Sequence, residues 1–325
     1  MYDFITIGSA LEDISFIINK PNSHGSALFN FFEDRKIEVQ DSEFNLGGVG
    51  MNTAISLSKL GLAVAPIVRL GKDARGSSIQ SELMRKGIST ELVQVDSSKP
   101  TGVSVVLITK NKGRHVLFVS RGANDNLEID LKKIKSFKPR WVYMTSFHGN
   151  WREDMQNVFD LKKDLGFKIA LNPGQNQLDE DPDFIKSLLC DVDCVILNRR
   201  EASMLTGSSS ADIELLSKSI NKMGAKLVVI SEGVAGSNVY NGDTILHADI
   251  MKVDSMDTTG TGDVFGSTFV GSYYKFDQDI EKALKYAIVQ SAKVTSEVGA
   301  QKGLIDLETI KKFASRIKIT KINGK

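Results

Sequence analysis

Short apolar runs bounded by glycine, proline or small polar residues alternate along this chain with longer segments whose apolar positions recur at helical spacing. Phe4 to Ile7 is the first run, ending in Gly8-Ser9-Ala10, and Leu11 to Ile17 alternates well enough for a second strand. From Met51 the spacing turns helical and stops at Gly61. Val64 to Val68 reads as a strand, and Gly71 to Gly76 leads into a helix ending near Lys86-Gly87. From Trp141 onward, strands at Trp141 to Thr145, Lys168 to Leu171, Cys194 to Leu197 and Leu227 to Ile230 are predicted. They are separated by segments of helical spacing around Glu153 to Leu165, Asp183 to Leu189 and Ile213 to Met223. Strands regularly separated by helices predict an α/β fold built on a doubly wound, mostly parallel sheet.

A second pattern interrupts the first. Val103 to Thr109 and His115 to Ser120 are β-rich and separated by Lys110-Asn111-Lys112-Gly113-Arg114, a hairpin with a polar tip. With the strands near Ile14 to Ile17 and Ile37 to Phe44 they predict a small separate sheet. Placed over the helix that starts at Met51, such a sheet would be a lid that excludes water. The chain is expected to form one α/β domain over residues 1–325, with lid strands drawn from about 11–46 and 98–122. Ile280 to Val298 reads as a long helical segment ending in Gly299-Ala300, and Lys318 to Lys325 as a frayed tail.

Composition narrows the function. With 325 residues and 41% hydrophobic content the chain can bury a large core. Forty-one basic against forty acidic residues leave a net charge of +1 with no strong clustering, so neither nucleic acid nor a membrane surface has electrostatic support as a partner. Small-molecule chemistry is the default. The two cysteines, Cys190 and Cys194, lie far from any histidine in sequence and suggest buried thiols in a reducing cytoplasm. No apolar run reaches the roughly 18 residues of a membrane span, and the N-terminus reads as a strand, so a soluble cytoplasmic protein is expected.

The chemistry concentrates in Asp257-Thr258-Thr259-Gly260-Thr261-Gly262-Asp263, followed at once by the apolar, uncharged segment Val264 to Tyr273. The glycines fall at the N-terminus of a buried helix, where main-chain N–H groups lack intrahelical partners and the peptide dipoles place partial positive charge. A phosphoryl group in transfer fits there. Asp263 would stand beside it, where a base is needed to take a proton from an attacking hydroxyl. The same heptad also reads as a loop with an acidic first helical turn. It is neither a P-loop nor the three-glycine dinucleotide fingerprint.

The heptad resembles the Asp-Thr-Thr-Gly-Ala-Gly-Asp signature of the PfkB/ribokinase family of carbohydrate and nucleoside kinases, with Thr261 in place of the usual Ala. Other motifs follow the family order. Gly47-Gly48-Val49-Gly50-Met51-Asn52 is similar to the family's N-terminal signature, in which the glycines hinge the lid and the Asn contacts the sugar. Ribokinase proper is expected to carry Lys at the position of Val49. Asp13 matches an Asp that binds sugar hydroxyls, and it is also readable as a turn aspartate. Arg121-Gly122-Ala123-Asn124 resembles the family's Gly-Ala-Asn turn, and Arg121 is a candidate partner for a substrate carboxylate or phosphate, or a solvated turn residue. Asn198 and Glu201 match Asn-x-x-Glu, a pair that orients Mg2+-bound water, although the same spacing is a helix capping box. Ser231, Gly233 and Gly236 match the glycine-rich turn beneath the nucleotide. Asp257 and Thr259 match a monovalent-cation site of several relatives, with Gly303 where a serine ligand is often found.

What the resemblance implies is a ribokinase-like fold, ATP and Mg2+ as cofactors, K+ as a further candidate, and a homodimer through the lid. Asp263 would be the general base, the N–H groups of Gly260, Thr261 and Gly262 would hold the phosphoryl oxygens, and Asp13, Gly47, Gly48 and Asn52 the acceptor. A nucleoside kinase is the alternative, with Phe16, Phe44 and Phe118 available for stacking. A keto-sugar-acid kinase using Arg121 and a non-catalytic sugar sensor complete the set. None of the four histidines falls in a matched motif, and His148 is read as structural.

Overall fold

The computed structural model describes residues 2–18, 36, 38–109, 115–210 and 212–322. Its larger sheet has nine strands, in the order Ile319–Ile322, Ile245–Ala248, Ser237–Tyr240, Val228–Ser231, Cys194–Asn198, Lys168–Leu171, Trp141–Met144, Phe4–Ile7, Val64–Ile67. From Val228–Ser231 to Val64–Ile67 every pairing is parallel, and the remaining three strands add on antiparallel. Phe4–Ile7 lies between Val64–Ile67 and Trp141–Met144, so the chain winds away from it in both directions. Ligands of open α/β sheets bind at the carboxyl ends of strands beside such a reversal.

Side chains alternate across each strand and feed two cores. Phe4, Tyr143 and Ile196 face the helices Val49–Lys59, Thr261–Lys275 and Ile280–Thr295. Ile5, Val142, Met144 and Val195 face Trp151–Leu165, Arg199–Thr206 and Ile213–Lys222. Each large side chain sealed this way contributes about 1.5–3 kcal/mol. This is the doubly wound architecture that the alternation of strand and helix predicts.

The two helices nearest the strand reversal pack closely because one of them is built of small residues. In Thr261–Lys275, Gly266 abuts the Tyr143 hydroxyl, and Gly271 abuts Leu57 of Val49–Lys59 and Leu60 just past its end; a Cβ at either glycine would stand 2.4 or 2.7 Å from its neighbour. The Ser56 and Thr268 hydroxyls meet between the helices at 3.1 Å. One turn nearer the helix starts, this pairing brings Asn52 opposite Asp263.

The second sheet has four strands, in the order Asp41–Gly47, Leu11–Ile18, Gly102–Thr109, His115–Ser120. The hairpin tip at Lys110 to Arg114 lies outside the described residues. The expected strand Ile37 to Phe44 is found as Asp41–Gly47 instead, with Ile37 outside the described residues. Its polar start, Asp41-Ser42-Glu43, carries no apolar signal and is held in the sheet by pairing with Ser15 to Ile17. Asp13, Asn45 and Ser104 share one face of this sheet, because Asp13 stands opposite both of the others in the register. Ile14, Phe44, Val105 and Phe118 form a row on the other face. There Phe44 and Phe118 are 65% and 52% exposed.

Where a frayed tail is expected, Ile319–Ile322 forms the edge strand beyond Ile245–Ala248. The last strand read from the sequence ends at Ile230, and the strands Ser237–Tyr240 and Ile245–Ala248 extend the sheet past that point. Among the described residues no helix is long and apolar enough to cross a membrane.

Candidate active site

The helix Thr261–Lys275 begins at Gly260, whose φ of 69° lies in the left-handed region. A Cβ there would stand 2.2 Å from the Ala300 side chain, so conformation and crowding both demand glycine. The first i to i−4 bond runs from Val264 N to Gly260 O at 3.0 Å, and the N–H of Thr261 turns back to Thr258 O at 3.3 Å. Among the described residues the N–H groups of Gly260, Gly262 and Asp263 meet no acceptor. A cluster of main-chain donors is thus left at the positive end of a buried dipole.

Asp263, in the first turn of that helix, is half-buried. Burial pushes its carboxyl up to about 6, opposed by the Asn52 hydrogen bond and reinforced by the charge of Asp13. Asn52 Nδ2 donates to Asp263 Oδ2 at 3.1 Å. Asn52 lies on Val49–Lys59, which starts at Gly48 with φ 95°; a Cβ at Gly48 would stand 2.6 Å from Ser9 O.

Asp13 faces the cluster from the smaller sheet. It accepts from the Ser104 hydroxyl, and the bare Cα of Gly47 leaves room for its carboxylate. Burial raises the Asp13 carboxyl to about 6, the Ser104 bond opposes this, and the charge of Asp257 adds to it. Neither Ser104 nor Gln301 is flagged by any motif. Gln301 Nε2 donates to Asn52 Oδ1 at 3.0 Å and to Leu46 O at 2.7 Å. Asn124, matched only as a turn residue, clamps the start of the Asp13 strand: its Oδ1 accepts from Ala10 N and its Nδ2 donates to Ala10 O, both at 3.0 Å. Register alone, read along a correctly aligned small sheet, would have found Ser104.

Arg121 sits apart from this group. Its side chain is exposed, and among the described residues it makes no hydrogen bond or ion pair with Asp13, Asn52 or Asp263. Its charge joins burial in lowering the titration of His148.

Asn198 and Glu201 form the capping box: Glu201 N donates to Asn198 Oδ1 at 2.9 Å, and Asn198 N to Glu201 Oε2 at 2.8 Å. The box does not spend Glu201 on structure alone. Burial lifts its carboxyl to about 7 against the Asn198 N–H, and the negative charge of Asp263 contributes. Glu201 therefore feels the charge of Asp263.

Beyond the helix start lies a cleft of about 420 Å³ lined by Val234, Ile250, Met251, Val253, Ile288 and Ala292 among others. Gly233 also lines it, in the turn Gly233–Ala235 that follows Ser231, and Glu232 N closes that turn on Gly236 O at 2.9 Å. Thr258 and Thr261 connect its floor to the donor cluster. Asp257 is buried and stitches this end together: Oδ1 accepts from Thr259 N at 2.9 Å and Thr259 Oγ1 at 2.7 Å, and Oδ2 accepts from Gly299 N at 2.9 Å.

The geometry is that of an apolar cleft, a cradle of N–H donors, a half-buried carboxylate and a polar sheet face, in that order. The pfkB family carbohydrate kinase pattern matches residues 3–307. Salmonella typhi deoxyribokinase is 24% identical, over 96% of this chain and 99% of its own. The structure of Arabidopsis thaliana ribokinase complexed with ribose and ATP superposes with a TM-score of 0.80 at 23% identity, covering 96% of this chain and 98% of that one. A Burkholderia thailandensis nucleoside kinase in complex with inosine gives 0.79 at 16%, over 96% and 98%. The chain belongs to the pfkB family of carbohydrate kinases.

Proposed function

We propose that this carbohydrate kinase transfers the γ-phosphoryl group of ATP to a hydroxyl of a free sugar, with Asp263 as the general base. The observation that carries this is the Asn52 to Asp263 contact of 3.1 Å at a helix start with free N–H donors, between an apolar cleft and a polar sheet face. The nucleobase would lie against Val234, Ile250 and Ile288, and its phosphates would run toward Gly260 and Gly262. Gly260 and Gly262 would hold the γ-phosphoryl oxygens by N–H donation, joined by Thr261 once its long turn bond yields. Ionised Asp263 would take the acceptor's proton as that oxygen bonds to the γ-phosphorus. The bond from phosphorus to the bridging oxygen breaks, and ADP leaves with the electron pair.

Asp13, with its Ser104 partner and with Gly47 and Gly48 beneath it, would orient the acceptor. The negative charge of Asp263 adds to the burial that raises the Glu201 carboxyl, and a cation bound beside Glu201 would relieve it. That supports Mg2+ held through Glu201 and Asn198, where it supplies charge neutralisation for the phosphates. The case for K+ is thinner. Both oxygens of Asp257 already accept hydrogen bonds. A serine at position 303 would put its Cβ 2.2 Å from Lys293 O. Potassium is therefore an arm of the test and not a part of the mechanism.

Two arguments favour a sugar over the alternatives. Phe16, Phe44 and Phe118 lie on the sheet face opposite to Asp13, so none of these three offers a nucleoside base a stacking surface beside it. Among the described residues Arg121 makes no hydrogen bond or ion pair with Asp13 or Asn52, which weakens a sugar acid. The small sheet then acts as a lid, and its exposed apolar row supports pairing of two copies through these faces. Cys194 is a buried free thiol as expected, whereas Cys190 is exposed, and an exposed free thiol accords with a reducing cytoplasm. The reading is tested by ADP release across pentoses, hexoses, sugar phosphates, sugar acids and nucleosides, with and without potassium. Turnover of a free sugar that is lost in Asp263→Asn is expected; equal turnover by that variant would end the proposal.

A further inference from the structure

We propose that Gln301 is a positioning residue that fixes which end of the Asn52 amide faces Asp263, and that the seating of the strand Asp41–Gly47 sets this choice. The proposal rests on the reading of Asp263 as the base. A primary amide is nearly symmetric in shape, so its orientation is decided by its partners. Here the decision starts at a group with no freedom. The Leu46 carbonyl can only accept, so the Gln301 atom that meets it at 2.7 Å must be Nε2. The same Nε2 lies 3.0 Å from Asn52, so the Asn52 atom facing it must be the acceptor Oδ1. Nδ2 is thereby turned to Asp263, where it donates at 3.1 Å.

Polarity thus runs from a main-chain carbonyl of the small sheet through two amides to the carboxylate. A donor on the carboxylate favours its ionised form, the form a base must have, and works against the upward pull of burial. Reversed, the amide would set Oδ1 against the carboxylate and hold the proton on. Leu46 directly precedes Gly47 and Gly48, where the smaller sheet joins the helix, so a movement of the sheet there withdraws the carbonyl that orients the chain. A second strap from the same loop, the Lys302 to Glu43 ion pair, seats the same strand. The consequence is that Asp263 is primed as a base when the sheet is down over the acceptor.

The test is the pH profile of kcat/KM for the acceptor in wild type, Gln301→Glu and Gln301→Leu, with Asp263→Asn alongside. The carboxylate introduced by Gln301→Glu can only accept, so Asn52 turns over and the acidic limb moves up by about one pH unit. Gln301→Leu leaves the Asn52 amide unordered, which predicts a shift of the same sign but smaller, and about tenfold slower turnover with the KM for ATP unchanged. If Gln301→Glu does not fold, Gln301→Leu carries the test. A residue that only ties the loop to the sheet would change melting temperature or KM and leave the limb in place; limbs coincident with wild type in the folded variants overturn the proposal. Should Asp263→Asn itself turn over, the base assignment fails first. An inactive Asp263→Asn with unmoved Gln301 profiles rejects the role of Gln301 alone.

Discussion

The start of the helix Thr261–Lys275 and the inner face of the small sheet meet across the acceptor position, but they are made in different ways. The helix start is contiguous: seven consecutive residues supply the turn, the donors and the carboxylate, and the groups that would meet phosphate are main-chain N–H, indifferent to side-chain identity. The sheet face is assembled from Asp13, Asn45 and Ser104 on three strands, each separated from the others by tens of residues. A backbone cradle tolerates change around it, as Thr261 in place of alanine illustrates. A side-chain face can be respecified one residue at a time. The donor half is thus the conservative half of such a site and the acceptor half the adaptable one.

The sharpest break comes from removing the one side chain the donor half requires. Asp263→Asn is expected to lower kcat by about 10³-fold while ATP and sugar still bind, as calorimetry of both ligands would show. A change on the sheet face should divide differently. Asp13→Asn predicts a KM for the sugar raised ~10- to 100-fold with the KM for ATP unmoved, which steady-state kinetics in both substrates separates.

The carboxyls of Asp13 and Asp263 both titrate near 6, and their effects on activity and stability have opposite signs. With Asp263 as the proposed base, kcat/KM is expected to fall as pH drops through about 6. Stability runs the other way: a carboxyl raised in the folded state holds its proton where the unfolded chain has lost it. The contribution of these two carboxyls to the stability of the ligand-free protein is therefore fullest below the unfolded value and is lost as pH rises through about 6. Asp263→Asn should remove part of that loss and melt a few degrees higher than wild type at pH 8, corresponding to roughly 1 kcal/mol. The smallest effect on chemistry belongs to the outer face. Phe44→Glu is expected to convert a dimer to monomer in sedimentation and to change kcat less than about twofold, since that side chain points away from Asp13.

How far the sequence could be read follows the same division. The donor half was legible because its signal is local, seven adjacent residues ahead of an apolar helix. Gly48 and Asn52 were legible through a glycine pair and a helical frame, and Asp13 only through its match to the family's pattern. Ser104 and Gln301 carry no local mark; they matter only through strand register and a contact spanning 249 positions, which no window of sequence contains. The strand Asp41–Gly47 was displaced because its first half is polar and its place is set by its partner. Ile319–Ile322 resembles any short apolar end of a chain until Ile245–Ala248 is known to lack a neighbour.

That last strand has a consequence for how the molecule comes into being. Ile245–Ala248 leads directly into the Ile250 to Val253 wall of the nucleotide cleft, and its outer edge is covered only when residues 319–322 arrive. Synthesis proceeds from the N-terminus and completes elements in the order they emerge. Residues 319–322 therefore leave the ribosome after every strand they join, and the outer edge of Ile245–Ala248 stays unpaired until they emerge.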